Sequence, residues 1–275
     1  MVTARELMYT DVSLTSLTNE QLRVRVARAQ LYLLEMTPTS DELPPMAALR
    51  DHLAYFYKLE EEGRLFGLGP VEFGQRGPKQ ELAIVAAASK SEAEFIGENE
   101  PLQMAGLLSI NTRRHTMNEG VACYVGRALS RRAEALGDPF DPSIAGISLS
   151  YEALTQRSTG AQLQLVSLEP TVKPRPPEDT QSGYDHFIWL RSNEMQAKLM
   201  SCGPVEPVQP LGEGVWGGGL GVFATSRAEA ERTAREEPSG RAGYRTLSVR
   251  SWTLNFGLAA PIGKALASLN NLPSG

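Results

Sequence analysis

The stretch Asp51-His52, followed after sixteen residues by Gly69-Pro70-Val71-Glu72, occurs twice in this chain. The second copy is Asp185-His186, followed after the same sixteen residues by Gly203-Pro204-Val205-Glu206. Both parts of the motif return 134 residues later, so nothing has been inserted between the histidine and the Gly-Pro pair. A motif with identical internal spacing in two places indicates two copies of one structural unit.

Further matches run in the same order through both halves of the chain. Ala29-Gln30-Leu31 returns as Ala161-Gln162-Leu163, and Ser89 through Gly106 returns in part as Ser226 through Gly243. The later matches include Glu92, Ala93, Glu94, Glu100 and Pro101, which return as Glu229, Ala230, Glu231, Glu237 and Pro238. A period near 135 residues is too long for a solenoid and fits a tandem pair of domains. We predict a first repeat with a trailing helix at 20–136, a linker at 137–159, and a second repeat with a C-terminal tail at 160–275.

Composition narrows the class of protein. The chain has 275 residues, of which 41% are hydrophobic, enough for two packed domains. A net charge of -5 argues against nucleic acid and against an anionic membrane surface, because both attract basic proteins. The two cysteines, Cys123 and Cys202, have no metal-like spacing, and they fit a reduced cytoplasmic protein better than a disulfide scaffold. The first fourteen residues carry no apolar run typical of a secretory signal, so a cytoplasmic location is expected.

Hydrophobic periodicity predicts the same order of elements in both copies. The predicted strands are 29–35, 64–73, 81–88 and 107–116 in the first copy, and 162–168, 198–205, 215–224 and 244–254 in the second. The predicted helices are 46–62 and 90–97 in the first copy, and 183–196 and 227–235 in the second. Additional helices are predicted at 121–136 and 261–269, and an irregular or partly helical arm at 1–18. The order β-α-β-β-α-β is ferredoxin-like, which places the chain in the α+β class.

The order of these motifs resembles the YCII-related family. The residues that carry the resemblance are His52-Leu53, Glu62-Gly63-Arg64-Leu65, Gly69-Pro70, Ser89 with Glu92-Ala93, and Ala105-Gly106. The second copy departs from it at Ala197-Lys198-Leu199, where the first has Gly63-Arg64-Leu65. That family is similar to the dimeric α+β barrel superfamily, in which two ferredoxin-like units set their sheets face to face around a pocket. The resemblance implies that this chain builds such a barrel from its own two copies.

The two fourth strands carry polar residues on one face. Because side chains alternate along a strand, Ser109, Asn111, Arg113 and His115 share a face, as do Thr246, Ser248, Arg250 and Trp252 in the second copy. If the two sheets face each other, these residues line an enclosed polar cavity. Arg113 and Arg250 then either bind a substrate carboxylate in a bidentate manner or pair with nearby acids. Asn111 and Trp252 are further candidates for substrate binding, and His115 for catalysis.

The repeated histidines are the other candidates for chemistry. A histidine beside a buried helix face can move a proton near neutral pH, and the resemblance implies a catalytic histidine, paired with an acid, at His52. The candidate acid is Glu61, although it lies about two and a half helical turns away. The second copy has Met195 in place of Glu61, so His186 is expected to bind substrate rather than catalyse. The alternative is that both histidines only orient local backbone.

These residues lead to one functional expectation with open alternatives. The expected function is a cofactor-independent enzyme of small-molecule catabolism that isomerises or tautomerises an unsaturated carboxylic acid derived from an aromatic compound. Hydrolysis, elimination and non-catalytic binding of a small ligand are the alternatives. The expected partner is a small anionic organic substrate, with no metal, organic cofactor, nucleic acid or membrane, and a homodimer is left open. Chemistry is expected in the first copy, because only that copy has the carboxylate Glu61 in the helix of its repeated histidine.

Overall fold

The computed structural model describes residues 18, 26–72, 80–136 and 139–270. Most of the arm predicted at 1–18 therefore lies outside the described residues. The described residues form eight strands and nine helices, in an order that matches the two predicted ferredoxin-like units. Among the described residues, no helix combines the length and the apolar character that crossing a membrane requires.

The first unit contains four strands and five helices within the described residues. The strands are β1 (Ala29–Pro38), β2 (Leu65–Val71), β3 (Gln80–Val85) and β4 (Leu108–Met117). The helices are α1 (Met46–Glu61), α2 (Lys90–Glu98), α3 (Pro101–Met104), α4 (Cys123–Leu136) and α5 (Tyr151–Thr155). Ser89 caps α2 by accepting a hydrogen bond from the Glu92 amide, as its position before the helix predicts.

The second unit repeats this plan. Its strands are β5 (Ala161–Pro170), β6 (Leu199–Pro204), β7 (Gly219–Phe223) and β8 (Arg245–Leu254). Its helices are α6 (Thr180–Met195), α7 (Arg227–Arg235), α8 (Pro238–Arg241) and α9 (Ala260–Leu269). The strand predicted at 215–224 starts only at Gly219, because Val215 makes just an isolated bridge to Pro174, and Gly217 and Gly218 lie outside the ladders of β7.

The strands join into one sheet in the order β4-β1-β3-β2-β8-β5-β7-β6. The two units meet at β2 and β8, where Val71 pairs with Trp252. They meet again at the other end of the sheet, where His115 on β4 bridges to Val205, just after β6. Two ferredoxin-like sheets joined along both edges enclose an interior. The prediction of an α+β barrel made within one chain is therefore confirmed.

The repeated Gly-Pro pair lies at these two junctions. A Cβ atom on Gly69 would lie 1.8 Å from the carbonyl oxygen of Thr253, and one on Gly203 would lie 1.8 Å from that of Thr116. No side chain fits at such a distance, so the two strands approach only because both residues are glycine. The exact recurrence of the motif is thus explained by the pseudo-twofold relation between the units.

Three apolar clusters follow from the alternation along the strands. The inner cluster contains Leu31, Leu33, Leu163 and Leu165 from the first strands of both units, with residues of α4 and α9. Their neighbours on the opposite face, including Tyr32 and Leu34, pack beneath α1 and α2, and Val166 and Leu168 lie in the corresponding cluster of the second unit. Each sheet therefore has a barrel face and a helix-covered face.

Candidate functional site

His52 lies on α1 over the helix-covered face of the first unit, and both of its ring nitrogens are occupied. Nδ1 is 2.8 Å from Oε1 of Glu100, and Nε2 is 3.1 Å from Oε2 of Glu81. Burial alone would lower the pKa of His52, but the two carboxylates raise it to about 10. His52 is therefore a buried imidazolium held by two acids, with no nitrogen left for a substrate.

Glu61 is not among the acids that contact His52. It lies at the end of α1 with its side chain 58% exposed, 3.9 Å from Arg157. The carboxylate that does orient His52, Glu100, comes from the residue that caps α3. The repeat itself held the signal for this partner, because Glu100-Pro101 returns as Glu237-Pro238.

His186 lies at the matching position on α6, and only one of its nitrogens is held. Nδ1 is 2.7 Å from Oε1 of the fully buried Glu237, and among the described residues Glu237 is the only hydrogen-bond partner of the ring. The ring stacks on Trp189 and meets Trp216 edge-on. Nε2 is therefore the nitrogen that remains for a ligand.

Strand register shows why the two histidines differ. Glu81 lies opposite Pro70, and the residue at the same place opposite Pro204 is Gly219. The carboxylate that binds Nε2 of His52 is thus absent from the second unit. A glycine in its place leaves room beside His186.

Two further residue differences between the units enlarge the space beside His186. In the first unit Leu68 bridges to Phe256, and both pack into the apolar cluster under α1. The matching bridge in the second unit joins Cys202 to Glu119, so two large apolar side chains give way to smaller or polar ones. The result is a cavity of about 300 Å³ between α6 and the strands.

The lining of this cavity combines a base, two cations and aromatic surface. Its walls include His186, Phe187, Trp216, Arg175 and Arg245. The two guanidinium groups lie 4.7 Å and 4.4 Å from the centre of the Trp216 ring. The indole therefore occupies a flat slot beside His186, within reach of two positive charges.

Burial favours the neutral form of the His186 ring. Burial alone would raise the pKa of Glu237, but hydrogen bonds from His186 and from Ser239 bring it to about 2, so this acid is ionised. Burial lowers the pKa of His186 and outweighs Glu237, which raises it through a hydrogen bond and its negative charge, while the positive charge of Arg245 acts in the same direction as burial. An ionised acid accepts the Nδ1 proton, which leaves Nε2 as an unprotonated lone pair.

The barrel interior holds Arg113 and Arg250, as the strand alternation predicts. Both line one small inner cavity of about 40 Å³, and Arg250 and Asn111 also line an open mouth of about 510 Å³ at the end of the barrel. Arg113 lies 3.3 Å from Oε1 of Glu35, and its Nε donates to the carbonyl oxygen of Glu206. Arg250 donates to the hydroxyl of Ser167. Each arginine is thus already engaged by the protein.

His115 and Trp252 are fully buried at the junctions between the units. Nδ1 of His115 is 3.2 Å from the carbonyl oxygen of Pro204, and Nε1 of Trp252 donates to that of Gly69. Burial lowers the pKa of His115 to about 4. The pair therefore occupies matching places in the barrel wall, apart from the cavity beside His186.

No protein-family model and no curated protein matches the chain. Its structure is similar to a haem-binding protein from Thermus thermophilus, with 14% identity and a TM-score of 0.46 over 88% of this chain and 95% of that one. It is also similar to a mutant chlorite dismutase from Candidatus Nitrospira defluvii, with 10% identity and a TM-score of 0.45 over 90% of this chain and 98% of that one. An anthrone oxidase-like protein matches with 11% identity and a TM-score of 0.37 over 83% of this chain and 93% of that one. These likenesses concern the fold.

The expectation of a cofactor-independent isomerase of aromatic catabolism is corrected by these findings. These neighbours are named as a haem-binding protein, a chlorite dismutase and an anthrone oxidase-like protein, and none of the three is named as an isomerase. The geometry adds a physical reason, because the expected base His52 has both ring nitrogens bound by carboxylates. In the first unit both ring nitrogens of the histidine are bonded, and the cavity lies in the second unit.

Proposed function

We propose that the chain binds haem in the cavity beside His186, with Nε2 of His186 as the ligand of the iron. The observation that carries this proposal is a partly buried histidine whose Nδ1 is fixed by Glu237 while the ring lines a cavity. Histidines that hold a metal usually donate their second ring proton to a carboxylate or a carbonyl oxygen. Haem iron is commonly held by one such histidine.

The rest of the donor set fits the remaining parts of haem. Trp216 already shows that a flat aromatic ring is accommodated edge-on to His186 and in contact with two guanidinium groups. The propionates of haem need cations, and Arg175 and Arg245 supply two. Leu168, Phe187 and Leu190 give the apolar surface that a macrocycle requires. The propionates make haem an anionic ligand, in agreement with the anionic ligand expected from the sequence.

The size of the cavity sets one requirement. A volume of about 300 Å³ lies at the lower end of the range for ligand pockets, and a macrocycle needs more. Trp216 comes from the connection between β6 and β7 rather than from a strand. Its displacement from the slot is therefore part of the proposal. When bound, haem supplies one-electron and oxygen chemistry, and the roles of this chain are to hold the iron, bind the propionates and exclude water.

Absorbance titration with haemin tests the proposal. We expect the purified protein to bind one haemin per chain, with a shifted Soret band and quenching of Trp216 fluorescence. His186→Gln should weaken binding at least tenfold, because glutamine offers no nitrogen lone pair. His52→Gln is the matched control, since that histidine faces no cavity, and it should bind haemin as the wild type does. Equal binding by the wild type and His186→Gln would overturn the proposal.

We also propose that each unit belongs to the YCII-related kind of ferredoxin-like domain. The support is the set of motif residues in the first copy, above all His52-Leu53 and Gly69-Pro70. In the second copy the same histidine and Gly-Pro are kept, and the surrounding replacements open the cavity. A family profile built from homologues of this chain would test the assignment.

A further inference from the structure

Glu119 is an acid in the wall of the second unit's cavity, although it belongs to the first unit. It follows β4, and its backbone bridges to Cys202 on the strand side of the cavity. His186 lies on α6, so the two side chains line the same space from different elements. The site is therefore composed of both units.

One oxygen of the Glu119 carboxyl group is buried without a hydrogen bond from any described residue. The residue is 2% exposed, and within the described part of the chain its buried Oε1 has no hydrogen-bond partner. Oδ1 of the neighbouring Asn118, which lines the same cavity, is also buried and unbonded among these residues. A buried polar atom left without a partner costs free energy, so such atoms call for an explanation.

The matching position in the other unit shows that packing does not require an acid here. Phe256 takes that place and packs into the apolar cluster under α1. Burial raises the pKa of Glu119 to about 8, Arg191 acts in the opposite direction, and Glu194 adds to the rise. The carboxyl group is thus mostly protonated near neutral pH and able to donate a hydrogen bond.

We propose that Glu119 is a second ligand-contacting residue of the cavity, and that it hydrogen-bonds from the strand side the group bound beside His186. This inference rests on the proposed function in that it places a ligand in this cavity. It goes further by requiring that the ligand, or a small molecule bound with it, presents a hydrogen-bonding atom to Glu119. An apolar ligand surface there would leave the acid unsatisfied.

NMR of the haem-free protein with labelled glutamate carboxyl carbons tests this inference, with imidazole as the probe. Imidazole is small enough for the cavity, and it both donates and accepts hydrogen bonds. We expect its addition to shift the Glu119 resonance and to leave that of Glu100, an equally buried acid with no cavity, unchanged. Glu119→Leu should weaken imidazole binding about tenfold, the effect of one lost hydrogen bond to a buried group. Glu119→Gln keeps a donor and should stay within a few-fold of the wild type.

The outcomes separate this inference from the proposed function. An unshifted Glu119 resonance, or equal imidazole affinity in Glu119→Leu and the wild type, overturns the role of Glu119 whatever haemin does. Failure of the wild type to bind haemin overturns the haem proposal, while the imidazole titration still decides for or against Glu119. Leucine removes an unsatisfied acid from a buried site, so Glu119→Leu is expected to fold, and glutamine provides a second variant of nearly native shape.

Discussion

Nδ1 of His186 lies 2.7 Å from Oε1 of Glu237, and the equivalent atoms of His52 and Glu100 lie 2.8 Å apart. The two units therefore orient their histidines in the same way. They differ at the other nitrogen, which Glu81 binds in the first unit and which faces a cavity in the second. The account of function depends on this difference.

The Glu237 carboxylate should control ligand binding through His186. Glu237→Gln keeps the shape but loses the anion that fixes the Nδ1 proton, so haemin affinity should fall about 10- to 100-fold, as for other partners of metal-bound histidines. The absorbance titration of this variant is compared with that of Glu100→Gln, the matched change in the first unit. Equal affinity in both variants would contradict the assigned role of Glu237.

Exchanging one residue between the units should close the cavity. Gly219→Glu restores the acid that the first unit has opposite its proline, and a Cβ there lies 3.1 Å from the carbonyl oxygen of Gly203, so a small local shift accommodates it. The new carboxylate should bind Nε2 of His186, raise its pKa and abolish haemin binding while the fold persists by circular dichroism. The reciprocal change, Glu81→Gly, should lower the pKa of His52. Retained haemin affinity in a folded Gly219→Glu would count against the register argument.

The protonated His52 should make stability depend on pH. Its pKa is about 10 in the folded protein and near 6.5 when unfolded, so its stabilising contribution is complete below pH 6.5 and is lost as the pH rises through about 10. Between these values the stability of the wild type relative to His52→Gln should fall by about 1.4 kcal/mol per pH unit. Urea unfolding at several pH values measures this difference. Well above pH 6.5, His186→Gln should show no such slope relative to the wild type, because His186 is neutral there in both the folded and the unfolded state.

The Gly-Pro junctions should tolerate no side chain. Gly69→Ala and Gly203→Ala each place a Cβ 1.8 Å from a backbone oxygen of the other unit, so we expect each to destabilise the protein by about 4 kcal/mol or more. Denaturant unfolding measures the loss. Gly146→Ala is the control, since a Cβ at that position has no neighbour within 4 Å, and it should be nearly neutral. Comparable stability of all three variants would refute the junction.

The fold was predictable because its elements have local signals and the chain repeats itself. Alternating or short apolar runs defined the strands, the leucine spacing defined α1, and the repeat showed that everything occurs twice. The alternation of side chains along a strand also predicted that Arg113 and Arg250 lie on the inner face. The start of β7 was the local error, since Trp216, Gly217 and Gly218 belong to a connection instead of a strand.

The site was harder to predict because its residues meet only through tertiary structure. Glu100 lies 48 residues from His52 in sequence, and Glu237 lies 51 residues from His186. Helix proximity favoured Glu61 instead, although that side chain points to solvent beside Arg157. Glu81 and Gly219 are recognised as equivalent positions only when the strand pairing is known, because Glu81 lies opposite Pro70 and Gly219 lies opposite Pro204. Divergence of the second copy removes the counterpart of Glu61, and it also replaces Glu81 by Gly219 beside the cavity.

The protonation states of the two histidines test the central claim most directly. We would record ¹⁵N NMR spectra of the haem-free protein at a pH of about 8, with His52→Gln and His186→Gln to assign the signals. The account predicts that His52 carries protons on both ring nitrogens and that His186 carries one proton on Nδ1 with a bare Nε2. A doubly protonated His186, or a neutral His52, would contradict the account.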